Sequence, residues 1–306
     1  MGIFKTNFGG FATRFSPFDE NRIAVATSQH YGIVGNGKLH ILEIVEGGRM
    51  LREITSFMSK DGLYDLAWSE DNENVIVGVS GDGSIKIWDM SRGGPDGRFP
   101  VRSYQEHGGE VHSIDWNPIN RRTFITGSWD ESIKLWDPMA MQGSVQTFKE
   151  HRYCVYSTVW SPYHESRFAS ASGDRTVKIW DTKAPMASNT ILAHDHEILS
   201  CDWNKYNENI LVSASVDKTI KIWDIRSTQR ELGVLKGHGY AWVQFTREAD
   251  VDSDMTVCLW DTLMENALVR RFDHHTEFVV GVDFSLFIPG QMASCAWDET
   301  VQIWNI

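Results

Sequence analysis

A Trp-Asp pair that closes an alternating apolar segment recurs along this 306-residue chain and constrains its fold more than any other feature. Five such pairs occur, and Trp304-Asn305 is a sixth, variant copy. Their tryptophans, which lie 48, 44, 43, 37 and 44 residues apart, are Trp88, Trp136, Trp180, Trp223, Trp260 and Trp304. A degenerate copy, Leu42-Glu43, lies 46 residues before the first. Self-similarity at this period indicates equivalent stacked units rather than two separate domains.

Other residues recur in phase with these pairs. An aspartate lies six residues before each of the six tryptophans, and the residues between alternate in polarity, as in Thr176-Val177-Lys178-Ile179. That period of two is typical of a half-buried β-strand. A histidine lies 23 residues before four of these aspartates; the four are His107, His151, His194 and His275. Each unit is therefore predicted to contain several short strands.

This pattern resembles the WD40 repeat, in which four strands form one blade of a β-propeller. The resemblance predicts an all-β, seven-bladed WD40 propeller in which residues 1–306 form a single domain. We expect a strand at residues 3–6 to supply the missing outer strand of the last blade. His238 and Asp254 are only 16 residues apart instead of 23, so the sixth blade is predicted to be shortened. Seven residues are hard to remove from two strands without losing most of one.

The repeated histidines and aspartates suggest catalysis, but in WD40 proteins such residues form a buried hydrogen-bonded relay within each blade. A role that recurs once per blade is better explained by structure than by several active sites. The predicted relay residues are His107, Asp130, Trp136, His151, Asp174, Trp180, His194, Asp217 and Trp223. No nucleophile elbow, phosphate-binding loop or zinc-protease motif occurs. We therefore expect no enzymatic activity and no cofactor.

Metal binding, lipidation and membrane insertion receive little support from the sequence. The pairs His194/His196 and His274/His275 have no further ligands at metal spacing, so no metal site is expected. The four cysteines are scattered and are expected to be reduced thiols. No apolar run is long enough to span a bilayer. Gly2 fits a loose myristoylation pattern, but lipidation of Gly2 would compete with formation of the strand predicted at residues 3–6.

Charge and rim position predict the kind of ligand. The formal net charge of −12 argues against nucleic acid and favours a basic partner. We define the upper rim as the end of the propeller where the innermost strands begin. The residues expected there, which combine carboxylates with aromatic side chains, are Tyr64, Asp65, Glu110, Trp129, Glu197 and Trp297. Aromatic side chains beside carboxylates suit a basic amphipathic helix or a basic extended tail.

Three segments differ from the general WD40 repeat pattern and resemble one particular family more closely. They are residues 15–37, which begin Phe15-Ser16-Pro17-Phe18, residues 62–68 and residues 273–278. These segments resemble the peroxin-7 family, which are receptors for the type 2 peroxisomal targeting signal. The resemblance extends over all the repeats, and the shortened sixth unit is the clear departure from it.

The resemblance implies a shuttling receptor that moves between the cytoplasm and the peroxisome matrix. Its expected ligand is the N-terminal signal (R/K)-(L/V/I)-x5-(H/Q)-(L/A) of peroxisomal matrix proteins. The four specified positions fall on one face of a helix, because seven residues make about two turns. A peroxin-5-type or fungal co-receptor and the peroxisomal docking complex are the implied protein partners. The alternative is a nuclear or ubiquitin-ligase scaffold that binds a basic peptide tail.

Overall fold

The computed structural model describes residues 2–92, 99–140, 143–236, 243–246, 249–252, 255–261 and 267–306. His238 and Asp254, whose spacing predicted a shortened blade, lie outside these residues. Within them, the only helix is a 3-10 turn at His30–Gly32, and no helix is long and apolar enough to cross a membrane. The remaining regular structure is β-strand.

The strands pair into four-stranded antiparallel sheets. The first sheet contains β2 (Gly9–Phe15), β3 (Arg22–Ser28), β4 (Gly37–Val45) and β5 (Met50–Ser59). The second contains β6 (Leu63–Trp68), β7 (Val75–Ser80), β8 (Ser84–Asp89) and β9 (Arg102–Gln105). The third contains β10 (Val111–Trp116), β11 (Phe124–Ser128), β12 (Ile133–Trp136) and β13 (Ser144–Phe148). In each sheet the strands lie side by side in chain order.

The next sheets repeat this arrangement. One contains β14 (Val155–Trp160), β15 (Arg167–Ser172), β16 (Thr176–Asp181) and β17 (Asn189–Leu192). Another contains β18 (Ile198–Trp203), β19 (Ile210–Ser215), β20 (Thr219–Asp224) and β21 (Gly233–Lys236). A further sheet contains β22 (Val243–Thr246), β23 (Ala249–Asp252), β24 (Thr256–Trp260) and β25 (Leu268–Phe272). The last is formed by β26 (Val279–Phe284), β27 (Gln291–Ala296), β28 (Thr300–Asn305) and β1 (Gly2–Lys5).

The innermost strand of each sheet contacts the innermost strand of the next, and β26 of the last sheet contacts β2 of the first. The sheets therefore surround a common axis, and the prediction of an all-β propeller is confirmed. Apolar side chains fill the spaces between neighbouring sheets: Leu39 and Phe57 of the first sheet pack in one cluster with Leu63 and Trp68 of the second. The number of blades stays a prediction.

The sheet that contains β22 and β23 shows how the short repeat is accommodated. These strands have four residues each, whereas β18 and β19 have six each. Two residues separate β22 from β23, whereas six separate β18 from β19. All four residues of β22 pair with β23. The expectation that most of one strand would be lost is wrong, because the deletion is divided between two strands and their connection.

A hydrogen-bonded relay links the strands inside a sheet. In the sheet of β14–β17, His151 Nδ1 lies 2.8 Å from Asp174 Oδ2, and His151 Nε2 lies 2.7 Å from Ser170 Oγ. The indole N–H of Trp180 donates to the same Ser170 Oγ at 2.8 Å. Burial lowers the pKa of His151 despite the adjacent carboxylate. A neutral imidazole can therefore donate to Asp174 and accept from Ser170.

Two further sheets contain the complete relay, with equivalent contacts of 2.7–2.9 Å. One set is His107, Asp130, Thr126 and Trp136, and the other is His194, Asp217, Ser213 and Trp223. In the last sheet, His275 contacts Asp298 and Ser294, but the indole N–H of Trp304 has no partner among the described residues. Trp88 also lacks one, because Gly78 occupies the place of the serine or threonine. The relay thus varies in completeness from sheet to sheet.

The N-terminal strand completes the last sheet. β1 pairs antiparallel with β28, with Gly2 opposite Ile303 and Lys5 opposite Thr300. The backbone N–H of Thr6 donates to the carbonyl of Glu299 at 2.9 Å, and Phe4 packs on the apolar cluster between the last and first sheets. The outer strand of this sheet therefore comes from the opposite end of the chain, as the expected ring closure requires.

We expect deletion of residues 2–6 to lower the thermal midpoint by more than about 5 °C. It removes a strand's hydrogen bonds and the packing of Phe4, and each lost kcal/mol lowers the midpoint of a domain of this size by about 1.5 °C. Ile3→Ser is the control, because the Ile3 side chain on the same strand is 53% exposed. Equal midpoints for the deleted and complete proteins, measured by calorimetry, would contradict this role of β1.

We expect Ser170→Ala to destabilise the protein by about 2–3 kcal/mol, because it leaves the buried His151 Nε2 and Trp180 N–H without partners. The measurement is the free energy of unfolding in urea. Ser103→Ala, at an exposed position of β9, is the control and should change it by less than about 0.5 kcal/mol. A loss at Ser170 no larger than that at Ser103 would refute a stabilising relay.

Candidate functional site

Six of the innermost strands have a β-bulge near their first residues, whereas β22 pairs with β23 without a register shift. The regular pairing skips the second residue of β6, β10, β14, β18 and β26, and it skips Phe11 near the start of β2. A bulge leaves one residue outside the ladder and redirects its side chain. The residues skipped in this way all line the central cavity, and they are Phe11, Tyr64, His112, Tyr156, Leu199 and Val280.

The cavity has a volume of about 860 Å³ and extends along the axis of the ring. Its lining includes Trp129 and Trp297 at the upper rim and Pro17 and Leu286 at the opposite end. Volumes of this order are typical of ligand-binding clefts. All six residues expected at the rim line this cavity, so the structure brings them together.

Aromatic rings form a continuous band around part of the upper rim. The His112 imidazole stacks on Trp129 with ring centres 4.7 Å apart and an angle of 6° between the planes. The ring centre of Tyr64 lies 4.7 Å from that of His112 and 5.3 Å from that of Phe11. Phe11 in turn lies 5.9 Å from Trp297. These contacts fix the orientation of flat apolar surfaces that an amphipathic ligand can cover.

Carboxylates lie beside this aromatic band. Glu110 Oε2 lies 3.1 Å from His112 Nε2, and the Glu110 side chain remains 36% exposed. Tyr156 donates its hydroxyl hydrogen to Glu197 Oε2 at 3.0 Å. Burial raises the pKa of Tyr156, and the nearby negative charge of Glu197 raises it further. The pKa of Tyr64 rises for the same two reasons, with Glu110 and Asp61 as the charges. Negative charge thus accumulates at this rim, which favours a cationic ligand.

Asp65 does not lie on the exposed rim, and the expectation that it does is wrong. The Asp65 side chain is buried in the cavity wall, 3.2 Å from Arg14 Nη2. It also accepts hydrogen bonds from the N–H groups of Leu66 at 2.9 Å and Ile114 at 3.0 Å. Burial by itself would lower the pKa of Arg14, but attraction to Asp65 raises it. The charge of Asp65 is therefore already balanced within the protein.

Other cavity carboxylates have a similar structural role. Asp65 of β6 accepts from Ile114 of β10, Asp115 of β10 accepts from the N–H of Trp160 of β14 at 2.7 Å, and Asp283 accepts from the N–H of Phe15 at 2.8 Å. Each of these bonds connects one sheet to the next. No group of three or more possible metal-ligating side chains that could hold an ion occurs among the residues with described positions.

The tryptophans and glutamates expected at the rim are at least partly accessible to solvent. Trp129 is 41% exposed, Trp297 is half-buried, and Glu110 and Glu197 are half-buried beside the aromatic band. The sequence reasoning missed Phe11, Tyr31, His112 and Tyr156. Three of these lie at bulges, and the available signal was the recurrence of ring-bearing side chains one or two positions after the strand start.

The turn between β3 and β4 adds another aromatic ring to the rim. Its Tyr31 lies 5.2 Å from Trp297, and the hydroxyl of Tyr64 donates to the carbonyl of Gly32 at 2.6 Å. A Cβ atom at Gly32, where φ is +80°, would come within 2.9 Å of Phe11 and Tyr64 ring atoms. Glycine is thus required here both for backbone conformation and for close packing on the aromatic band.

A ring of four-stranded sheets with this relay and this rim defines a WD40-repeat propeller, a class of binding platform. The family model described as WD domain, G-beta repeat, matches residues 51–89, 98–137, 142–181, 187–224 and 266–305. These matches together cover more than half of the chain.

Full-length relatives define the family more closely. The chain is 51% identical to Peroxisome biogenesis protein 7 of Arabidopsis thaliana over 100% of this chain and 98% of the relative. It is 52% identical to the Peroxisomal targeting signal 2 receptor of Dictyostelium discoideum, over 95% of this chain and 93% of the relative. The receptor of the same name from Mus musculus is 43% identical, with 97% and 93% covered. The chain therefore belongs to the peroxin-7 family of peroxisomal targeting signal 2 receptors.

We expect Arg14→Leu to lower the free energy of unfolding by about 3 kcal/mol, because Asp65 would stay buried without its counter-ion. Asp65→Leu added to Arg14→Leu should restore part of that loss. Arg52→Leu is the control, since the Arg52 side chain is 65% exposed in its ion pair with Glu43 and should contribute less than about 1 kcal/mol. Similar losses for Arg14→Leu and Arg52→Leu in urea unfolding would contradict the assignment of Asp65 to Arg14.

Proposed function

We propose that this protein is a receptor for the type 2 peroxisomal targeting signal, which it binds at the upper rim as an amphipathic basic helix. The supporting observation is the combination, on a member of this family, of exposed aromatic rings with rim carboxylates. With a co-receptor, the protein would deliver matrix proteins for import into peroxisomes. The family relationship favours this function over a scaffold that binds a basic tail.

The chemistry of the signal matches the rim. A helix with one cation and aliphatic groups on a single face would place its cation near Glu110 and Glu197 and its aliphatic groups on Trp129 and Trp297. Tyr64 lies beneath this contact and keeps the rings in place through its hydrogen bond to Gly32. Partly exposed carboxylates remain solvated before binding, so the cation is attracted without a large desolvation cost.

Asp65 has a different part in this proposal from the one expected from the sequence. Its carboxylate is bonded to Arg14 and to two backbone N–H groups, so it stabilises the wall below the site. Glu110 and Glu197 carry the charge that meets the ligand. Aromatic packing and negative potential together select a basic helix over a basic extended tail, since the tail lacks a continuous apolar face.

The same proposal covers the number of blades, the role of the relay residues, the location of the receptor and its protein partners. Residues 1–306 would form one domain of seven blades, with the short sheet of β22–β25 as the sixth blade and β1 in the last. The relay histidines and aspartates would be structural and not catalytic. The receptor would shuttle between cytoplasm and peroxisome matrix, and a peroxin-5-type or fungal co-receptor and the docking complex would be its partners.

The test is fluorescence anisotropy with a labelled type 2 signal peptide. Glu110→Gln combined with Glu197→Gln should weaken binding about 10-fold or more, because two rim charges are lost while the shape is kept. Glu20→Gln, an exposed change in the β2–β3 connection, is the charge control and should alter affinity less than about twofold.

A second peptide separates the two functions named from the sequence. An unstructured histone-tail peptide of equal charge should bind the unsubstituted protein at least about 10-fold more weakly than the signal peptide. Equal affinity for both peptides would favour the basic-tail scaffold. Unchanged binding by the double glutamine variant would exclude the upper rim as the site of the cation.

A further inference from the structure

The turn between β3 and β4 is longer than the corresponding turns of the other described sheets. It spans residues 29–36, eight residues, whereas three or four residues connect β7 to β8, β11 to β12, β15 to β16 and β19 to β20. The extra residues lie at the upper rim, next to the aromatic band. We call residues 29–36 the rim turn.

The rim turn is held in one conformation by several hydrogen bonds. Gln29 N–H donates to the carbonyl of Asn36 at 3.0 Å, and Asn36 N–H donates to the side chain of Gln29 at 2.9 Å. Within the turn, Gly32 N–H donates to Gln29 at 2.9 Å and Ile33 N–H donates to His30 at 3.1 Å. His30 and Tyr31 both adopt left-handed backbone conformations, with φ of 47° and 58°. Such conformations are uncommon for side chains like tyrosine and persist where neighbouring contacts hold them.

This anchored turn displays two aliphatic side chains that face different surroundings. Ile33 is 86% exposed and lies at the mouth of the cavity. Val34 is 63% exposed and is not part of the cavity lining. Because hydrogen bonds already fix the backbone of this turn, little backbone entropy is lost when a ligand covers an aliphatic side chain at the mouth of the cavity.

We propose that Ile33 is a specificity-determining residue that contacts the aliphatic face of the bound targeting helix. Through Ile33, the rim turn adds an aliphatic contact next to the aromatic surface of Tyr31 and Trp297. This inference rests on the proposed function, because it names a further contact of the same site. A ligand that has a cation but no aliphatic face gains no binding affinity from the Ile33 side chain.

The position of Ile33 favours the bound targeting helix, rather than a co-receptor, as the partner that contacts its side chain. Its side chain lines the cavity that the ligand would occupy, and Tyr31 connects the same turn to Trp297. Val34 is exposed on the same turn but does not line this cavity. The two neighbouring residues therefore provide a matched pair for the test.

The experiment measures binding of a labelled type 2 signal peptide, without any other protein, to the complete chain with Ile33→Ser or Val34→Ser. Ile33→Ser should weaken binding about 5- to 20-fold, as expected for loss of one buried aliphatic side chain. Val34→Ser should change affinity less than about twofold. Both side chains are exposed, so neither change should alter the thermal midpoint, and equal midpoints verify that the overall fold is intact.

A double-mutant cycle tests direct contact. Two signal peptides, each with one of its aliphatic positions replaced by Ala, are titrated against the unsubstituted protein and Ile33→Ser. If Ile33 packs on one of these positions, Ile33→Ser should cost less than about twofold with that Ala peptide. Additive losses with both peptides would overturn the direct contact.

Other outcomes separate this inference from the function on which it rests. Normal binding of the peptide by the unsubstituted protein and by Ile33→Ser would overturn the role of Ile33 alone. An effect of Ile33→Ser that arises only when a second protein is added would assign the turn to that protein and also overturn the inference. Failure of the unsubstituted protein to bind any signal peptide would overturn the proposed function, and this inference with it.

Discussion

Closure of the ring joins chain segments that are far apart in sequence, and the candidate site depends on it. β1 pairs with β28, and the Asp283 carboxylate accepts a hydrogen bond from Phe15 N–H, 268 residues away. The Asp283 bond joins the last sheet to the first, and the β1 pairing ties the N-terminal segment that precedes the first sheet to the last sheet. The rim aromatic cluster crosses the same junction, since Phe11 and Tyr31 come from the first sheet and Trp297 from the last. An open chain of sheets would have the repeats but not this surface.

The repeat pattern predicted most of the fold because strand alternation and the spacing of Trp, Asp and His are local properties. It also placed Trp129 and Trp297 at the rim, since each immediately precedes a relay aspartate in a turn. It could not predict that Asp65 is paired with Arg14. That ion pair joins two different sheets, and its geometry depends on how far one sheet is displaced along the next.

The bulges explain why other site residues were missed. An alternating strand assigns each side chain to one face or the other, but His112 and Tyr156 are each an extra residue outside that alternation. The short sheet of β22–β25 was also hard to predict. A count of missing residues does not reveal whether they are lost from strands or from the connection, and here both become shorter.

The bulged residues have a consequence for how a propeller of this kind can acquire new ligands in evolution. The backbone hydrogen bonds that hold the strands of a sheet together lie in the ladder, whereas the skipped residues stay outside the ladder register. A change at such a position replaces part of the cavity surface and keeps the pairing that supports the sheet. Aromatic or imidazole rings occupy these positions on the first four sheets, and Leu199 and Val280 occupy them on two later ones. An almost symmetric scaffold can therefore diversify its recognition surface one sheet at a time, with little loss of foldability.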